Sequence, residues 1–305
     1  MGALTVVLAL LAALCNASAS VLQRRAAAEE SDSRGGARHA VRWLTRVLQR
    51  PHWLAGFGLL ILSTVFQAWA LAVGSLSVVQ PLLASELLFT LVVGSMVFHR
   101  RPDLRTWSAF TSLGAGLALF LTAASPSPGR RTASDGSWLT AGGVVLAAVV
   151  ALVLASRPTR GGPRAALLGL AAAMSFAMTA ALLKEVVGRR DEGPAGVFTH
   201  WSLWATAVIG LISFVLLQAA FRAGSLTASQ PALTLGDAIT SVALGWALFA
   251  EHIELGARLV PEIIGILLIG AGSLGLAAAP SVGAAWDTVP HGTSDTHPAQ
   301  RHQPH

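Results

Sequence analysis

The stretch GSLSVVQPLL at residues 74–83 sets the architecture of the chain, because a second copy, GSLTASQPAL, stands at residues 224–233. The copies share six identities in ten positions, and a serine aligns with a threonine at a seventh. Each copy opens an apolar run long enough to cross a lipid bilayer. A repeat at about half the chain length, in a hydrophobic chain, is typical of a duplicated membrane transporter.

The composition of the 305-residue chain indicates a membrane protein. Hydrophobic residues make up 53% and charged residues only 12%, with a mean hydropathy of +0.62, and a soluble domain with this balance could not cover its apolar surface. The net charge is +6. It comes from arginines between the apolar runs, which favours membrane orientation over nucleic-acid binding. A single cysteine, Cys15, excludes an internal disulfide framework and a thiolate metal site.

Nine apolar segments of about 18 to 25 residues predict an all-α membrane protein. They lie at residues 2–22, 53–73, 75–98, 107–124, 137–155, 165–187, 199–220, 225–249 and 261–279. Arginines concentrate in the loops at 23–52, 99–106 and 156–164. The positive-inside rule therefore places these loops in the cytoplasm, with the N-terminus outside and the C-terminus inside. The expected location is a bacterial cytoplasmic membrane.

This topology makes the repeat inverted, since the two copies enter the membrane from opposite faces. Segments one to four match segments six to nine, and the fifth segment links them in a 4+1+4 bundle. We expect a first repeat with its linking helix at 1–155, a second repeat at 164–280, and a disordered polar tail at 281–305. The histidines of the tail are irregularly spaced, so no metal site is predicted.

The first segment also has features of a signal peptide, with Ala17-Ser18-Ala19 as a small-residue cleavage site. Against this interpretation, no cation precedes the apolar run. Residues 11–25 also align with residues 170–184, which places Arg25 on Lys184. A cleaved leader should not have a copy in mid-chain, so we expect the segment to remain as a membrane helix.

Each copy carries a proline inside its helix, Pro81 and Pro231, and the pair predicts two helix kinks. Each proline frees the carbonyl four residues earlier, at Ser77 and Thr227. Free carbonyls at that depth are tolerated only inside the protein or beside a water-filled cavity. A packing kink is the simpler explanation for one proline, whereas two at pseudo-symmetric depths favour a cavity.

Asp237 is the most informative charge, because an ionisable group in mid-span usually faces the interior of the bundle. Ser241 follows it by one turn in a polar stripe at helical spacing, and Glu86 takes a comparable place in the first copy. Polar groups in the first and sixth spans either line a shared path or act as interhelical contacts, and the sequence leaves both open. The predicted substrate-binding residues are Asn16, Gln80, Glu86, Ser175, Gln230, Thr234 and Asp237.

Two further features carry expectations about packing and charge. Gly114-Ala115-Gly116 and Gly270-Ala271-Gly272 predict close packing of the fourth and ninth helices. Glu251, His252 and Glu254 follow the eighth span in a predicted external loop, where they are candidates to collect a cation, although a solvated loop is the simpler interpretation. The chain has no metalloprotease, P-loop or nucleophile-elbow motif. No enzyme is therefore predicted, and any transport would be secondary or channel-like.

With these features the chain resembles the drug/metabolite transporter superfamily over residues 2–280. The third-helix pattern, an early proline followed by a charged turn, is similar to the EamA-type repeat, with His99-Arg100-Arg101-Pro102 in the first copy and Glu251-His252 in the second. The nine spans, the outward N-terminus and the first-helix end SASVLQRR at 18–25 also resemble the NIPA branch of magnesium transporters. Asn16 departs from that branch, where a glycine is expected.

The resemblance implies a multi-pass secondary transporter of a small metabolite or cation, working by alternating access around the Pro-kinked third and eighth helices. A NIPA-like magnesium transporter is the alternative, since Mg²⁺ prefers the oxygen ligands that the acids and glutamines offer. A non-transporting membrane scaffold or accessory subunit is a third hypothesis. No cofactor is expected, Mg²⁺ or H⁺ being a transported or coupling ion. The expected partners are the lipid bilayer, the substrate and a second copy in a homodimer, and nucleic acid is not expected.

Overall fold

The computed structural model describes residues 2–28, 50–98, 103–123, 129–224, 226–251 and 259–278. These residues form helices and turns, with no strand among them. A short 3₁₀ turn, Arg190–Glu192, precedes the eighth α-helix. The α-helices are α1 (Ala3–Ala28), α2 (Pro51–Val73), α3 (Leu76–Leu83), α4 (Glu86–Phe98), α5 (Leu104–Ala123), α6 (Asp135–Ser156), α7 (Gly162–Gly188), α8 (Gly193–Thr199), α9 (Trp201–Ala223), α10 (Leu226–Phe249) and α11 (Leu259–Ala278).

Every predicted apolar segment contains a helix, which confirms the all-α class. Within the described ranges, seven helical spans are long and apolar enough to cross a membrane. One of them, Leu76–Val97, combines α3 and α4. Helices α5 and α11 do not belong to this set of seven. The fold is thus a multi-pass helical membrane protein, and the tail at 281–305 lies outside the described residues.

Helix α7 lies at the centre of the bundle and contacts α2, α6, α9 and α10. In its most apolar stretch of 18 residues, 61% is buried inside the protein. Its buried surface is rich in small side chains, among them the fully buried Ala171, Ala173 and Ala177. Small residues let neighbouring helices approach closely, which drives helix association where lipid removes the hydrophobic term. In helices α6 and α9 only 11% of the corresponding 18-residue stretch is buried, so their apolar faces are available to lipid.

Helix α1 packs along α2 and α4. Ala9, Ala12 and Ala17 on α1 are fully buried, and the hydroxyl of Ser63 on α2 donates a hydrogen bond to the carbonyl of Ala12 at 2.8 Å. The first apolar segment therefore contributes to the core of the bundle, as its retention in the membrane would require.

The third predicted span is broken in the middle. Helix α3 ends at Leu83, two residues after Pro81, and α4 begins at Glu86. The amides of Ala84 and Ser85 donate to the carbonyls three residues earlier, at 3.1 and 3.0 Å, which tightens the last turn of α3. Helix α10, by contrast, continues without interruption through Pro231. The two prolines thus stand in different local structures, a break after Pro81 and a continuous helix around Pro231.

Asp103 caps the start of α5. Its carboxylate accepts hydrogen bonds from the hydroxyl of Thr106 and from the backbone N–H of Thr106, the latter at 3.0 Å. Both bonds favour the ionised form, the hydroxyl bond most, and they lower the pKa of Asp103 below its ordinary value. The contribution of this cap to stability is present above the unfolded-state pKa and is lost as the pH falls through the lowered pKa.

The glycines of α5 and α11 hold these two helices in backbone contact, as the sequence predicted. A Cβ atom on Gly116 would lie 2.7 Å from the amide nitrogen of Ile269, and one on Gly272 would lie 2.5 Å from the amide nitrogen of Leu113. Gly114 has no such close contact, and Gly270 packs on a side chain of α10 instead. Only one glycine of each predicted motif therefore sets the distance between α5 and α11.

Replacing Gly272 with alanine should lower the free energy of unfolding by about 1 to 3 kcal/mol, because the new methyl group can be accommodated only by moving the α5 backbone. Gly143→Ala is the matched control, since a Cβ at Gly143 meets no atom within 4 Å, and alanine is the better helix former by about 1 kcal/mol. Thermal unfolding in detergent, followed by size-exclusion chromatography, measures both. Equal stability of the two variants would contradict the close α5–α11 contact.

Candidate functional site

The two proline-bearing helices, α3 and α10, cross at one end of the bundle. A Cβ atom on Gly245 of α10 would lie 2.5 Å from the hydroxyl oxygen of Ser77 on α3, so the two helices touch where Gly245 faces Ser77. The N-terminus of α3 and the C-terminus of α10 lie at this same end, and the helices therefore run antiparallel. The first copy of the repeated stretch, in α3, thus packs against the C-terminal part of α10.

Glu251, two residues after the end of α10, bonds to the start of α3 at this crossing through its carboxylate, and we call this set of bonds the Glu251 closure. The carboxylate accepts hydrogen bonds from the backbone N–H of Leu76 at 2.7 Å, from the N–H of Ser77 at 3.0 Å and from the hydroxyl of Ser77 at 2.5 Å. A carboxylate at a helix N-terminus satisfies unpaired N–H groups and is favoured by the helix dipole. Glu251 is fully buried. The simpler interpretation of the sequence, a solvated loop at this position, was wrong for Glu251.

The turn between α10 and Glu251 explains why the side chain points inward. Ala250 has a φ of 52°, in the left-handed region, and the amide of Glu251 donates to the carbonyl of Gly245 at 3.1 Å. A left-handed residue directly after a helix is normally a glycine. An alanine there costs roughly 1 to 2 kcal/mol, and the contacts of Glu251 offset that cost.

Lys184 on α7 is the charge partner of Glu251. Its ammonium group forms an ion pair with the Glu251 carboxylate, and both side chains are buried, at 5% and 0% exposure. The same ammonium nitrogen lies 4.6 Å from the centre of the Phe249 ring, within the range of a cation–π contact. Glu251 therefore joins three helices at one end of the bundle, α3, α7 and α10.

Four buried polar atoms along α3 and α10 have no hydrogen-bond partner among the described residues. They are Gln80 Nε2, Ser85 Oγ, Asp237 Oδ1 and Ser241 Oγ. An unpaired buried polar group costs about 1 to 3 kcal/mol, so such groups are rare in native proteins. Each one is explained by a bound water or ion, by local strain, or by a role in binding or catalysis.

The helix register brings two of these residues, Gln80 and Ser241, to one interface. On α10, Asp237, Ser241 and Gly245 point within about 80° of each other at 3.6 residues per turn. Ser241 lies about 6 Å along the axis from Gly245, and on α3 Gln80 lies about 4.5 Å from Ser77. Because the helices are antiparallel, Gln80 and Ser241 occur at the same depth below the Ser77–Gly245 crossing. This register places Gln80 and Ser241 at the α3–α10 interface below the Glu251 carboxylate. Asp237 lies about 12 Å along the axis from Gly245, beyond the end of α3 at Leu83.

Asn16 and Glu86, two predicted site residues, are in direct contact. The amide of Asn16 on α1 donates to the Glu86 carboxylate in the first turn of α4 at 2.6 Å. Glu86 immediately follows the α3–α4 break, and Ser85 with its unpartnered hydroxyl lies next to it. This contact therefore anchors the broken span to the first helix.

The remaining predicted residues lie away from the crossing or are already paired. The hydroxyl of Ser175 is buried and donates to the carbonyl of Ala171 on its own helix at 2.9 Å. That of Thr234 donates to the Gln230 carbonyl at 3.1 Å and accepts from Ser273 on α11 at 3.2 Å. Gln230 is half-buried. The predicted α10 stripe therefore divides, with Thr234 bonded to α11 and Asp237 left without a partner for its Oδ1 atom.

A strap at residues 129–133 covers the Glu251 end. The amide of Arg130 donates to the Phe249 carbonyl at 2.6 Å, and that of Ala133 donates to the buried carboxylate of Glu185 at 2.8 Å. Glu185 is held in turn by Arg189 at 3.0 Å. The strap is therefore bonded to the ends of both α7 and α10. Sequence reasoning missed Lys184, Glu185 and this strap, although Lys184, the only lysine in the chain, is a charge at the end of a membrane span.

Comparison with known proteins adds one relative. Over 215 residues, covering 70% of this chain and 74% of the relative, the sequence is 27% identical to an uncharacterized protein of Corynebacterium glutamicum. No family model matches the chain. No solved structure has significant similarity to it.

Proposed function

We propose that this protein is a secondary transporter of a small metabolite or cation, built from nine membrane helices in an inverted repeat. One observation carries the proposal, the set of buried and unpartnered polar atoms of Gln80, Asp237 and Ser241 on two proline-bearing helices. Polar groups at mid-membrane depth, at the interface of repeats, are the usual place of transporter binding sites.

The helix contacts support the inverted repeat. Helix α1 packs on α2 and α4, and its counterpart α7 packs on the counterparts of those helices, α9 and α10. Two further pairings, α3 with α10 and α5 with α11, join helices that are equivalent in the two halves. A pseudo-two-fold axis between the halves accounts for all of these pairs, and it supports membership of a family like the drug/metabolite transporters.

In this hypothesis the described conformation is closed at the Glu251 end. Glu251, held by Lys184 and covered by the strap, seals the α3–α10 interface there, and rocking of the halves would separate it from Leu76 and Ser77 of α3. With the N-terminus outside, the closed end faces the exterior of a bacterial cytoplasmic membrane. Asp237, Gln80 and Ser241 bind the solute, and Asn16 and Glu86 hold the broken span in place. Mg²⁺ and H⁺ remain the candidate transported or coupling ions.

Asp237→Asn should reduce solute flux about tenfold or more, because a hydrogen bond to a charged group contributes about 1.5 to 3 kcal/mol. Proteoliposomes offer two assays, Mg²⁺ entry reported by an enclosed indicator, and proton movement driven by a panel of amino acids and related metabolites. Asp135→Asn is the matched control, since Asp135 is exposed at the start of α6.

Each outcome selects one hypothesis. Mg²⁺ flux that is lost in Asp237→Asn supports the magnesium transporter, and metabolite-driven proton flux lost in the same variant supports a metabolite transporter. A folded protein that is silent in both assays, with an unchanged cellular phenotype for Asp237→Asn, contradicts transport. That result would favour the membrane scaffold or accessory subunit.

A further inference from the structure

A cavity of about 370 Å³ lies at the Glu251 end of the bundle, beside Lys184 and the strap. The end of α2 forms one wall, with Leu71 and Val73, and the strap and the end of α7 form the others. The charged side chains in its lining are all cationic, Arg130, Arg131, Lys184 and Arg190. The volume falls within the range of small-molecule sites, roughly 300 to 1,000 Å³.

The cations of the lining are only partly neutralised. Arg131 and Arg190 share one acid, Asp191, at 3.3 and 3.7 Å, and these side chains are exposed. Exposed pairs of this kind are weak, typically below about 1 kcal/mol. Lys184 is paired with Glu251, and Arg130 has no ion pair with any of the residues described. The cavity therefore carries a net positive charge that a bound anion could neutralise.

Contacts with the ends of α7 and α10 hold the backbone of Arg130 and Arg131 in place. The amide of Arg130 is bonded to Phe249 at 2.6 Å. The carbonyl of Arg131 lies so close to Gly188 that a Cβ there would overlap it, and a Cβ on Gly129 would lie 2.9 Å from the amide nitrogen of Glu251. Gly129 and Gly188 have no side chain at these close contacts, which lets the strap lie against the ends of α7 and α10. The guanidinium groups are thus presented from an anchored segment, which lowers the entropy lost on binding.

We propose that this cavity binds a phosphate-bearing anion. Guanidinium groups present paired donors that match phosphate oxygens, and each such charge-assisted bond is about twice as strong as a neutral one. Several cations around one cavity suit a ligand with more than one negative charge. The apolar wall from α2 ends at the edge of a membrane span, so the phosphate belongs either to a soluble phosphate ester or to an anionic lipid headgroup. The site stands independently of the transport proposal.

Binding of inorganic phosphate and glycerol 3-phosphate to the full chain in a maltoside detergent tests the proposal. Isothermal titration calorimetry measures this binding. Sodium chloride keeps the ionic strength constant, so that charge screening is the same in all samples. We expect saturable binding that weakens about tenfold in Arg130→Gln and in Arg190→Gln. Arg160→Gln is the matched control, because Arg160 is exposed in the α6–α7 connection at the opposite end, and its affinity should equal that of the wild type.

A second arm identifies the source of the phosphate. In nanodiscs with phosphatidylglycerol, loss of binding of both probes, together with reduced co-purification of this lipid in Arg130→Gln, assigns the site to a lipid headgroup. Retained binding of glycerol 3-phosphate assigns it to a soluble ester. Absence of binding in detergent combined with unchanged lipid retention in Arg130→Gln overturns the proposal. Equal weakening by Arg160→Gln also overturns it, since the effect would then be general charge.

Discussion

Glu251→Gln should lower the free energy of unfolding by about 3 kcal/mol, because it leaves the Lys184 ammonium buried without its anion. Breaking a buried ion pair from one side typically costs about 3 to 5 kcal/mol. We expect a value near the lower end of that range, since Lys184 also borders the cavity and the Phe249 ring stays close to its ammonium. Equilibrium unfolding in mixed micelles, followed by tryptophan fluorescence, measures the difference.

The reverse variant should cost less. Lys184→Met removes the cation but leaves the Glu251 carboxylate with the N–H groups of Leu76 and Ser77 and the Ser77 hydroxyl, and three hydrogen bonds stabilise a buried carboxylate. The double variant Lys184→Met/Glu251→Gln should recover much of the loss, because replacing both charges is often neutral. The expected order of destabilisation is therefore Glu251→Gln first, Lys184→Met second and the double variant last.

A double variant that loses the sum of the two single effects would contradict this account, because independent sites add and coupled sites do not. Glu251→Asp provides a further check. It keeps the charge but shortens the side chain by one methylene group, so it should lose the hydrogen bonds to α3 while retaining most of the Lys184 attraction. A loss in Glu251→Asp as large as in Glu251→Gln would show that the bonds to α3, rather than the ion pair, dominate.

The helices could be predicted from the sequence because apolar length is a local property. The predicted segment at 137–155 became Asp135–Ser156, and that at 53–73 became Pro51–Val73. The close packing of α5 and α11 at Gly116 and Gly272 was also predictable, since small residues on membrane helices mark close approaches. The break after Pro81 was predicted only as a kink, because a proline removes one helical hydrogen bond and tertiary contacts determine whether the helix resumes.

The candidate site was predictable only in part. Gln80 and Asp237 stood out because polar groups in an apolar span are rare, and the structure leaves Gln80 Nε2 and Asp237 Oδ1 buried without partners among the described residues. Glu251 could not be placed in the same way. Its position depends on a left-handed Ala250, which sequence propensity disfavours, and on partners about 175 residues earlier in the chain. A loop glutamate has no local signal for such burial.

The Glu251 closure links the two halves of the repeat more directly than the polar stripe does. It belongs to the end of α10 in the second half, while its amide and hydroxyl partners belong to α3 in the first. A rigid-body movement of one half against the other must break these bonds together, whereas the bonds within each half are unaffected. These bonds are therefore the contacts that the alternating access proposed above would have to break and remake.

Glu251→Gln should also open the α3–α10 interface to water from the Glu251 end. The Lys184 ion pair lies within the second half and does not change with the movement, so the expected effect comes from the bonds to Leu76 and Ser77, which join the halves. Weakening these charge-assisted bonds by about 1.4 kcal/mol raises the open population roughly tenfold, while that population remains small. The assay uses Ser241→Cys in a Cys15→Ala background, since Cys15 is the chain's single cysteine. A membrane-impermeant thiol reagent is applied to intact cells and to inverted vesicles, and the labelling rate of Cys at position 241 is measured from each side. We expect the rate from the Glu251 side to rise by that factor.

Asp135→Cys is the control for reagent access, because Asp135 is exposed next to the strap at the same end, and its labelling rate should not change with Glu251→Gln. A rise at both positions would indicate general loosening of the bundle instead of a gate. Faster labelling at position 241 from both sides would indicate local unfolding of α10. An unchanged rate from the Glu251 side, in a variant that is destabilised as expected, would show that the Glu251 carboxylate stabilises the fold without controlling access, and the strap would then be the element that closes this end.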